Sequence, residues 1–389
     1  MLGEERQMQL YEFQAKKIFE QNGISIPRGR MAQTALEAEG IAEELGGIVV
    51  IKAQVLTGGR GLAGGIRFAQ GPEQAHKIAE EVLSTQVKGE QPRAVLVEEK
   101  LQASHELYCG VTYDFRQKSP IVMASFRGGV DIEAVAKENP QNVARRLLDP
   151  FKGFSPFMGR EMAAEIGLQG NVALQYANAM ARLWCIFEKH DAELVEANPL
   201  AITGDRLVAL DAKLNLDDKS ITRQSDLMRS IQPLPSDQKD SLQHRRSRAR
   251  ELGIPTYIEM QGNIGVVADG AGTGMLTLDL VNDFGGRTGV YCEMGGETTA
   301  GLMENTMKAV LSVSSTRVVL VNLIGGLNRM DEMAKGIAHY LKKHRTSVPI
   351  VVRMSGTMEE EGRGILSGER IQTHDNLYEA VEEAARLAR

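Results

Sequence analysis

The 389-residue chain holds only three cysteines, Cys109, Cys185 and Cys292, far apart and with no CxxC pair. That excludes a disulfide framework and gives no support to a zinc site, and a reducing compartment fits best. No apolar stretch approaches the ~18 residues that a membrane helix needs. The N-terminal MLGEERQMQLYEF has no apolar core and carries Glu4 and Glu5. It does not read as a secretory signal, so a cytoplasmic protein is expected, without a membrane partner. There is no basic surplus either: 45 Lys and Arg against 51 Asp and Glu leave a net charge of −6, which argues against nucleic acid as a partner. Prolines number only 12 and no collagen-like period appears. Glycine, by contrast, is plentiful at 40 residues, against a usual share of ~7%. Glycines placed singly in a globular chain serve turns or close approach of backbone to a ligand.

The length suggests two or three domains, and the rhythm changes once. Gln232 to Pro255 opens with prolines and polar residues and carries Arg245, Arg246, Arg248 and Arg250, the pattern of a solvated linker with a short exposed helix. The boundary is placed here, giving domains over 1–235 and 258–389 joined by 236–257. After it, four β-rich runs, IGVVAD (264–269), VYCEM (290–294), RVVLVNLI (317–324) and PIVVRM (349–354), each meet a small-residue turn, glycine-bearing in every case, and then a helical pattern. This alternation predicts βαβ units and a parallel sheet. Ligands of such sheets lie beyond the carboxyl ends of the strands, where helix N-termini offer N–H groups to anions.

In the first domain, GIVVIKAQVLTGGRGLAGGIRFA (47–69) reads as strand, glycine loop, strand. Gly59-x-Gly61-x-x-Gly64 matches the dinucleotide fingerprint formally, but that fingerprint opens a helix and here a strand follows. The pattern instead resembles flaps over nucleoside triphosphates, with Lys52 and Arg60 to neutralise phosphate. A lysine inside VVIKAQV is costly to bury unless paired. Further on, strand AVLVE ends in Glu98 and Glu99, and Glu106 opens another strand; such carboxylates suit ribose hydroxyls or an exocyclic amine, or are simply solvated.

The stretch AELVEANPLAITGDRLVALDAKLNL (192–216) reads as a hairpin around Gly204-Asp205. A two-residue loop sets Thr203 against Arg206, Asn198 against Asp211 and Glu196 against Lys213. Alternation puts Glu196, Asn198, Asp211 and Lys213 on one face and Val195, Ala197, Leu210, Ala212 and Leu214 on the other. Hard oxygen donors in that arrangement suit Mg²⁺ shared with phosphates; the competing reading is a solvated hairpin face.

Taken in order, these segments resemble the β subunit of succinyl-CoA synthetase, from about Met8 to the C-terminus. MQLYEFQAKKIF, GGRG, GGVDIEAVA, LLDPFKG, EANPLAIT, LDAKL, GNIG and GGLNRMD carry the resemblance. It implies an ATP-grasp domain followed by a flavodoxin-like parallel α/β CoA-ligase domain. It also implies that Lys52 and Gly59-Arg60-Gly61 bind nucleotide phosphates, Glu98 and Glu106 contact the nucleotide, and Asn198 and Asp211 hold Mg²⁺. Glu196 is implied to assist phosphoryl transfer to a histidine on a separate α subunit, which also carries most of the CoA site. No histidine here has such a context; His76, His190 and His344 are expected at the surface. ATP is the expected nucleotide, with GTP left open.

The acid substrate is implied to sit at Asp269, Gly326, Leu327 and Asn328, where this chain departs from the family: Asp269 replaces Asn and Asn328 replaces Val. Glu297 stands in a phosphate-facing glycine motif, and Leu62 replaces a flap lysine. These departures suggest an acid other than succinate, such as malate, citrate or a monocarboxylate. The reading from a different class is a non-catalytic, nucleotide-binding regulatory subunit.

Overall fold

The expected strand, glycine loop and strand form an antiparallel pair, Val49–Ala53 with Ile66–Ala69, in which Lys52 lies opposite Ile66. A computed structural model describes residues 8–61, 63–220, 223–231, 234, 248–249, 251–296 and 298–389. Glu297, Leu62, Arg245, Arg246 and Arg250 lie outside the described residues. The chain divides into two units between residues 235 and 236, taken here one at a time.

The first unit holds two sheets. The smaller runs Gly29–Ala32, Val95–Glu99, Val49–Ala53, Ile66–Ala69, all antiparallel. Helices Ala35–Leu45 and Pro72–Ser84 bury Ala38, Ile41, Ile78 and Val82 against its Ile51 and Val97. Its interior positions are β-branched, which suits a pleated buried face. The larger sheet runs Met8–Gln9, Lys213–Leu216, Ala192–Thr203, His105–Asp114, Ser119–Ser125, Val143–Leu147, with Arg206–Ala209 also paired to Ala192–Thr203. The helix Gly170–Lys189 packs Tyr176, Met180, Leu183 and Phe187 into its core.

The hairpin register is as expected: Thr203 pairs with Arg206, Leu200 with Ala209 and Glu196 with Lys213. The returning strand is interrupted between Ala209 and Lys213, so Asn198 and Asp211 occupy matching positions across a gap rather than a ladder rung. Pro199, opposite Leu210, accepts from Leu210 N at 3.0 Å but has no N–H to return, which leaves the carbonyl of Leu210 for other donors.

The short helix Glu12–Gln21 follows the first strand, Met8–Gln9. Gln14 Oε1 accepts from Tyr11 N at 2.9 Å, the reciprocal half of a capping box. Its inward face carries Ala15, Ile18 and Phe19, and with them two charged residues, Glu12 and Lys16.

The second unit is one six-stranded sheet ordered Thr256–Glu259, Thr288–Glu293, Ile264–Ala268, Val318–Gly325, Ile350–Gly356, Thr373–His374. The four expected strands run parallel. Two edge strands go beyond that expectation: Thr256–Glu259, which is antiparallel, and the two-residue Thr373–His374. Leaving out the antiparallel edge, the order is 2-1-3-4-5, the flavodoxin-like winding. Helices cover both faces, as a parallel sheet requires, and the strand residues Val318, Val319, Leu320 and Val321 are fully buried. The chain leaves Ile264–Ala268 in one direction and returns to its other side, so the switch point lies beside the ends of Ile264–Ala268 and Val318–Gly325.

His190 differs from its expected surface position: it is buried at the end of Gly170–Lys189, where its ring meets Gln224 Oε1 at 3.3 Å. All three cysteines are free, and no described helix is long and apolar enough to cross a membrane.

Glycine at 336 lets helix Met330–Lys343 approach Ala300–Leu311: a Cβ there would lie 2.5 Å from Ala300 O and from Met303 Cβ. Overpacking costs about 1–3 kcal/mol, more than the ~1 kcal/mol of helix propensity that alanine adds. Gly336→Ala is therefore expected to lower the thermal midpoint, whereas Gly364→Ala, with open space around it, is expected to hold or raise it.

Candidate functional site

Lys52 is buried, and it is paired. Its Nζ lies 2.9 Å from Glu12 Oε1 and 2.8 Å from Glu98 Oε2, and it also donates to the carbonyl of Leu210. Lys16, one turn after Glu12, places its Nζ 2.6 Å from Glu98 Oε1, 2.7 Å from Glu98 Oε2, 2.8 Å from Leu210 O and 3.1 Å from Glu12 Oε1. Arg60 turns inward from the glycine loop. It donates to Ala53 O at 3.0 Å and to Glu12 Oε2, and meets Asp211 Oδ1 at 2.9 Å. Three cations thus face three carboxylates. The Glu12, Lys16, Lys52, Arg60 and Glu98 side chains are nearly inaccessible, whereas that of Asp211 is 40% exposed.

Buried charges are tolerated only when paired and fully hydrogen-bonded, and their titration reflects the competition. Burial pushes Glu12 up, but Arg60, Lys52 and Lys16 outweigh it and hold its carboxyl well below the usual range. Burial pushes Lys52 down, yet Glu12, Glu98 and Asp211 raise it above an ordinary lysine. Lys16 is lowered, by burial and by the Lys52 cation. Asp211 is raised, by burial and then by Glu12, against the pull of Arg60 and Lys52.

The glycine loop over this cluster is tied down at Gly58, whose carbonyl accepts from Lys88 Nζ at 2.6 Å. Gly59 has φ +67°, in the left-handed region that favours glycine. Gly61 accepts from Gly64 N at 3.2 Å, and the loop closes with Gly65 N donating to Arg60 O at 2.9 Å.

A second group lies along Ala192–Thr203. Glu196 is half-buried; burial raises its carboxyl, offset in part by a hydrogen bond with Asn198 and by Lys213 opposite. Asn198 is held by the loop of GGVDIEAVA: its Oδ1 accepts from Gly129 N at 2.8 Å and its Nδ2 donates to Val130 O at 3.0 Å. Gly129 has φ +69°, and a Cβ there would lie 2.5 Å from Glu106 Oε2. Glu106, Asn198 and Glu196 therefore gather around one loop. Glu106 is exposed and Glu98 is buried behind Lys52, so the two expected nucleotide carboxylates sit in different surroundings.

Among the described residues no group of three or more His, Cys, Asp or Glu could hold a metal ion. The oxygens of Asp211 and Asn198 are nevertheless hard donors of the type Mg²⁺ takes when phosphates and water supply the rest.

In the second unit, Asp269 ends the central strand at the switch point and is buried. Its Oδ2 accepts from Ile324 N at 2.9 Å, and Asn328 hydrogen-bonds to it. Burial raises the Asp269 carboxyl. Asn328 Oδ1 accepts from Thr298 N at 3.0 Å, and its Nδ2 donates to Gly295 O at 2.9 Å. The two departures at 269 and 328 thus touch each other, and Asn328 pins the loop after Thr288–Glu293. Gly326 O accepts from Thr357 Oγ1 at 3.3 Å, whereas Leu327 is 86% exposed.

A family model described as an ATP-grasp domain matches residues 9–202, and one described as CoA-ligase matches residues 267–387. The chain is therefore an ATP-grasp domain followed by a CoA-ligase domain. Beta subunits of ADP-forming succinate–CoA ligase are similar throughout. That of Methanothermobacter thermautotrophicus is 38% identical over 98% of this chain and 100% of its own. That of Desulfurococcus amylolyticus is 41% identical over 98% and 99%. The GDP-forming counterpart of Thermus thermophilus is 39% identical over 96% and 97%. In fold, the ATP citrate lyase of Methanothrix soehngenii, solved with citrate and coenzyme A, matches with a TM-score of 0.77 over 98% of this chain and 100% of that one, at 19% identity. The chain belongs to the succinate–CoA ligase β-subunit family.

Residue patterns alone did not single out Glu12, Lys16 or the Gly129–Val130 clamp. The available signal was two charges four apart on the helix face that also carries Ala15, Ile18 and Phe19. Removing one partner from such a buried network costs about 3–5 kcal/mol, so Glu12→Gln is expected to destabilise the chain by that amount at neutral pH. The lowered Glu12 carboxyl contributes stability above its unfolded pKa of ~4.3 and loses it as pH falls through the folded value. The gap between variant and wild type should accordingly close only below about pH 4, as read by denaturant unfolding across pH.

Proposed function

We propose that this chain is the nucleotide-binding subunit of an ADP-forming carboxylic acid–CoA ligase that works with an α subunit. The observation that carries the reading is the convergence of Lys52, Arg60 and Asp211 beneath a glycine loop, in a chain whose relatives are β subunits of such ligases. In this reading Lys52, Arg60 and the Gly59–Gly61 backbone bind the polyphosphate of ATP, and Glu98 and Glu106 border the nucleotide. Asn198 and Asp211 hold Mg²⁺, which when bound neutralises and orients the phosphates. Glu196 steadies the α-subunit histidine that receives the phosphoryl group. ATP, acid and CoA give ADP, phosphate and acyl-CoA, through a phosphohistidine and an acyl phosphate, with CoA held mainly by the partner.

Asp269 favours a second reading of the substrate. A carboxylate buried at the switch point and bound by Asn328 repels an incoming dicarboxylate while ionised. It suits an acid that offers a hydroxyl or amino donor, or a monocarboxylate. A screen of acids on the co-expressed pair, following ADP release with CoA present, decides this; a succinate rate comparable with the best acid returns the substrate to succinate. Binding of ATP without phosphoryl transfer to the partner would instead make the chain a regulatory subunit.

Glu196→Gln is expected to lower kcat by about 10²-fold, the scale of a misplaced phosphoryl acceptor, with the nucleotide KM nearly unchanged. Steady-state kinetics of the pair check it.

A further inference from the structure

The helix Glu12–Gln21 contributes a cation that no nucleotide can reach. Lys16 is 2% exposed, and its ammonium meets four oxygens on three elements, more acceptors than its three N–H donors. Two of them are both oxygens of Glu98. A third, the carbonyl of Leu210, is shared with Lys52 and immediately precedes Asp211. The helix thus grips the strand bearing Glu98 and the interrupted strand bearing Asp211 with one charge.

The count of charges says what that grip does. With Lys16, three cations balance Glu12, Glu98 and Asp211. Without it, two cations face three carboxylates, Lys52 alone must satisfy Glu98, and the Leu210 carbonyl loses one of its two donors. A polyphosphate then meets a site with net negative charge.

We propose that Lys16 is a positioning residue of the nucleotide site: it neutralises Glu98 and fixes the Leu210 carbonyl, so that Lys52 and Asp211 are held beneath the glycine loop in a cluster without net negative charge. The proposal rests on the nucleotide-binding reading above. The charged groups facing Lys16 and Glu98 are Glu12 on the same helix, Lys52 and Glu98 on the small sheet, Arg60 on the glycine loop and Asp211 on the interrupted strand.

The test is equilibrium binding of a fluorescent ATP analogue with Mg²⁺ to the full chain, as wild type, Lys16→Met and Lys16→Gln. Both variants are expected to bind about tenfold or more weakly near pH 7.5, because each removes the charge. A double variant, Lys16→Met with Glu98→Gln, restores the charge balance and is expected to recover binding to within about threefold of wild type. Single variants that bind within about twofold of wild type, or a double variant that binds no better than Lys16→Met, overturn the proposal. So does a loss of binding that merely tracks loss of helical signal by circular dichroism in both variants. Wild type that does not bind Mg–ATP defeats the nucleotide reading itself, which is a separate outcome.

Discussion

Three buried cations shared among three carboxylates hold the first unit's chemistry in place. Desolvating this many charges is costly, and pairing returns that cost only with complete hydrogen bonding. The requirement explains several features at once. Lys52 faces inward from a β-branched strand, Arg60 folds back from its own loop, and a helix otherwise packed by Ala15, Ile18 and Phe19 carries Glu12 and Lys16 on its buried face. The small sheet, the large sheet and the N-terminal helix meet at this cluster, so their relative placement and the electrostatics of the site are one problem.

The interruption at Leu210–Ala212 belongs to that solution. Pro199, opposite Leu210, accepts from Leu210 N but has no N–H to give the Leu210 carbonyl, and the break beyond it takes Asp211 out of a regular rung. The carbonyl goes to two lysines, and Asp211 meets Arg60. The regular register on either side keeps Glu196 against Lys213. Local irregularity at a site, held by regular structure around it, is how a sheet aims individual side chains.

The second unit reaches its arrangement differently. Its winding puts the ends of two central strands side by side, where one buried carboxylate and one amide join three loops by hydrogen bonds. Asp269 and Asn328, far apart in sequence, form one hydrogen-bonded unit there. A substitution at either changes the environment of the other.

The sequence by itself determined a great deal. Period-2 alternation and the Gly204-Asp205 turn located the hairpin and its register, because a slip of one residue would turn Val195 and Leu214 out of the core. Four strand–turn–helix repeats determined the parallel sheet, because a parallel connection needs a crossover. The rule against burying an unpaired lysine singled out Lys52 as a functional candidate without naming any protein partners. Only the tertiary structure decided those partners. Glu12, Lys16 and Glu98 stand as many as 86 positions apart along the chain, and nothing in local pattern says which carboxylate meets which amine. That Arg60 would turn inward, that Asn198 would be clamped by Gly129 and Val130, and that Asp269 would find Asn328 were decided likewise by distance in space. Periodicity reports which face a side chain takes, whereas electrostatic pairing depends on which faces the fold brings together.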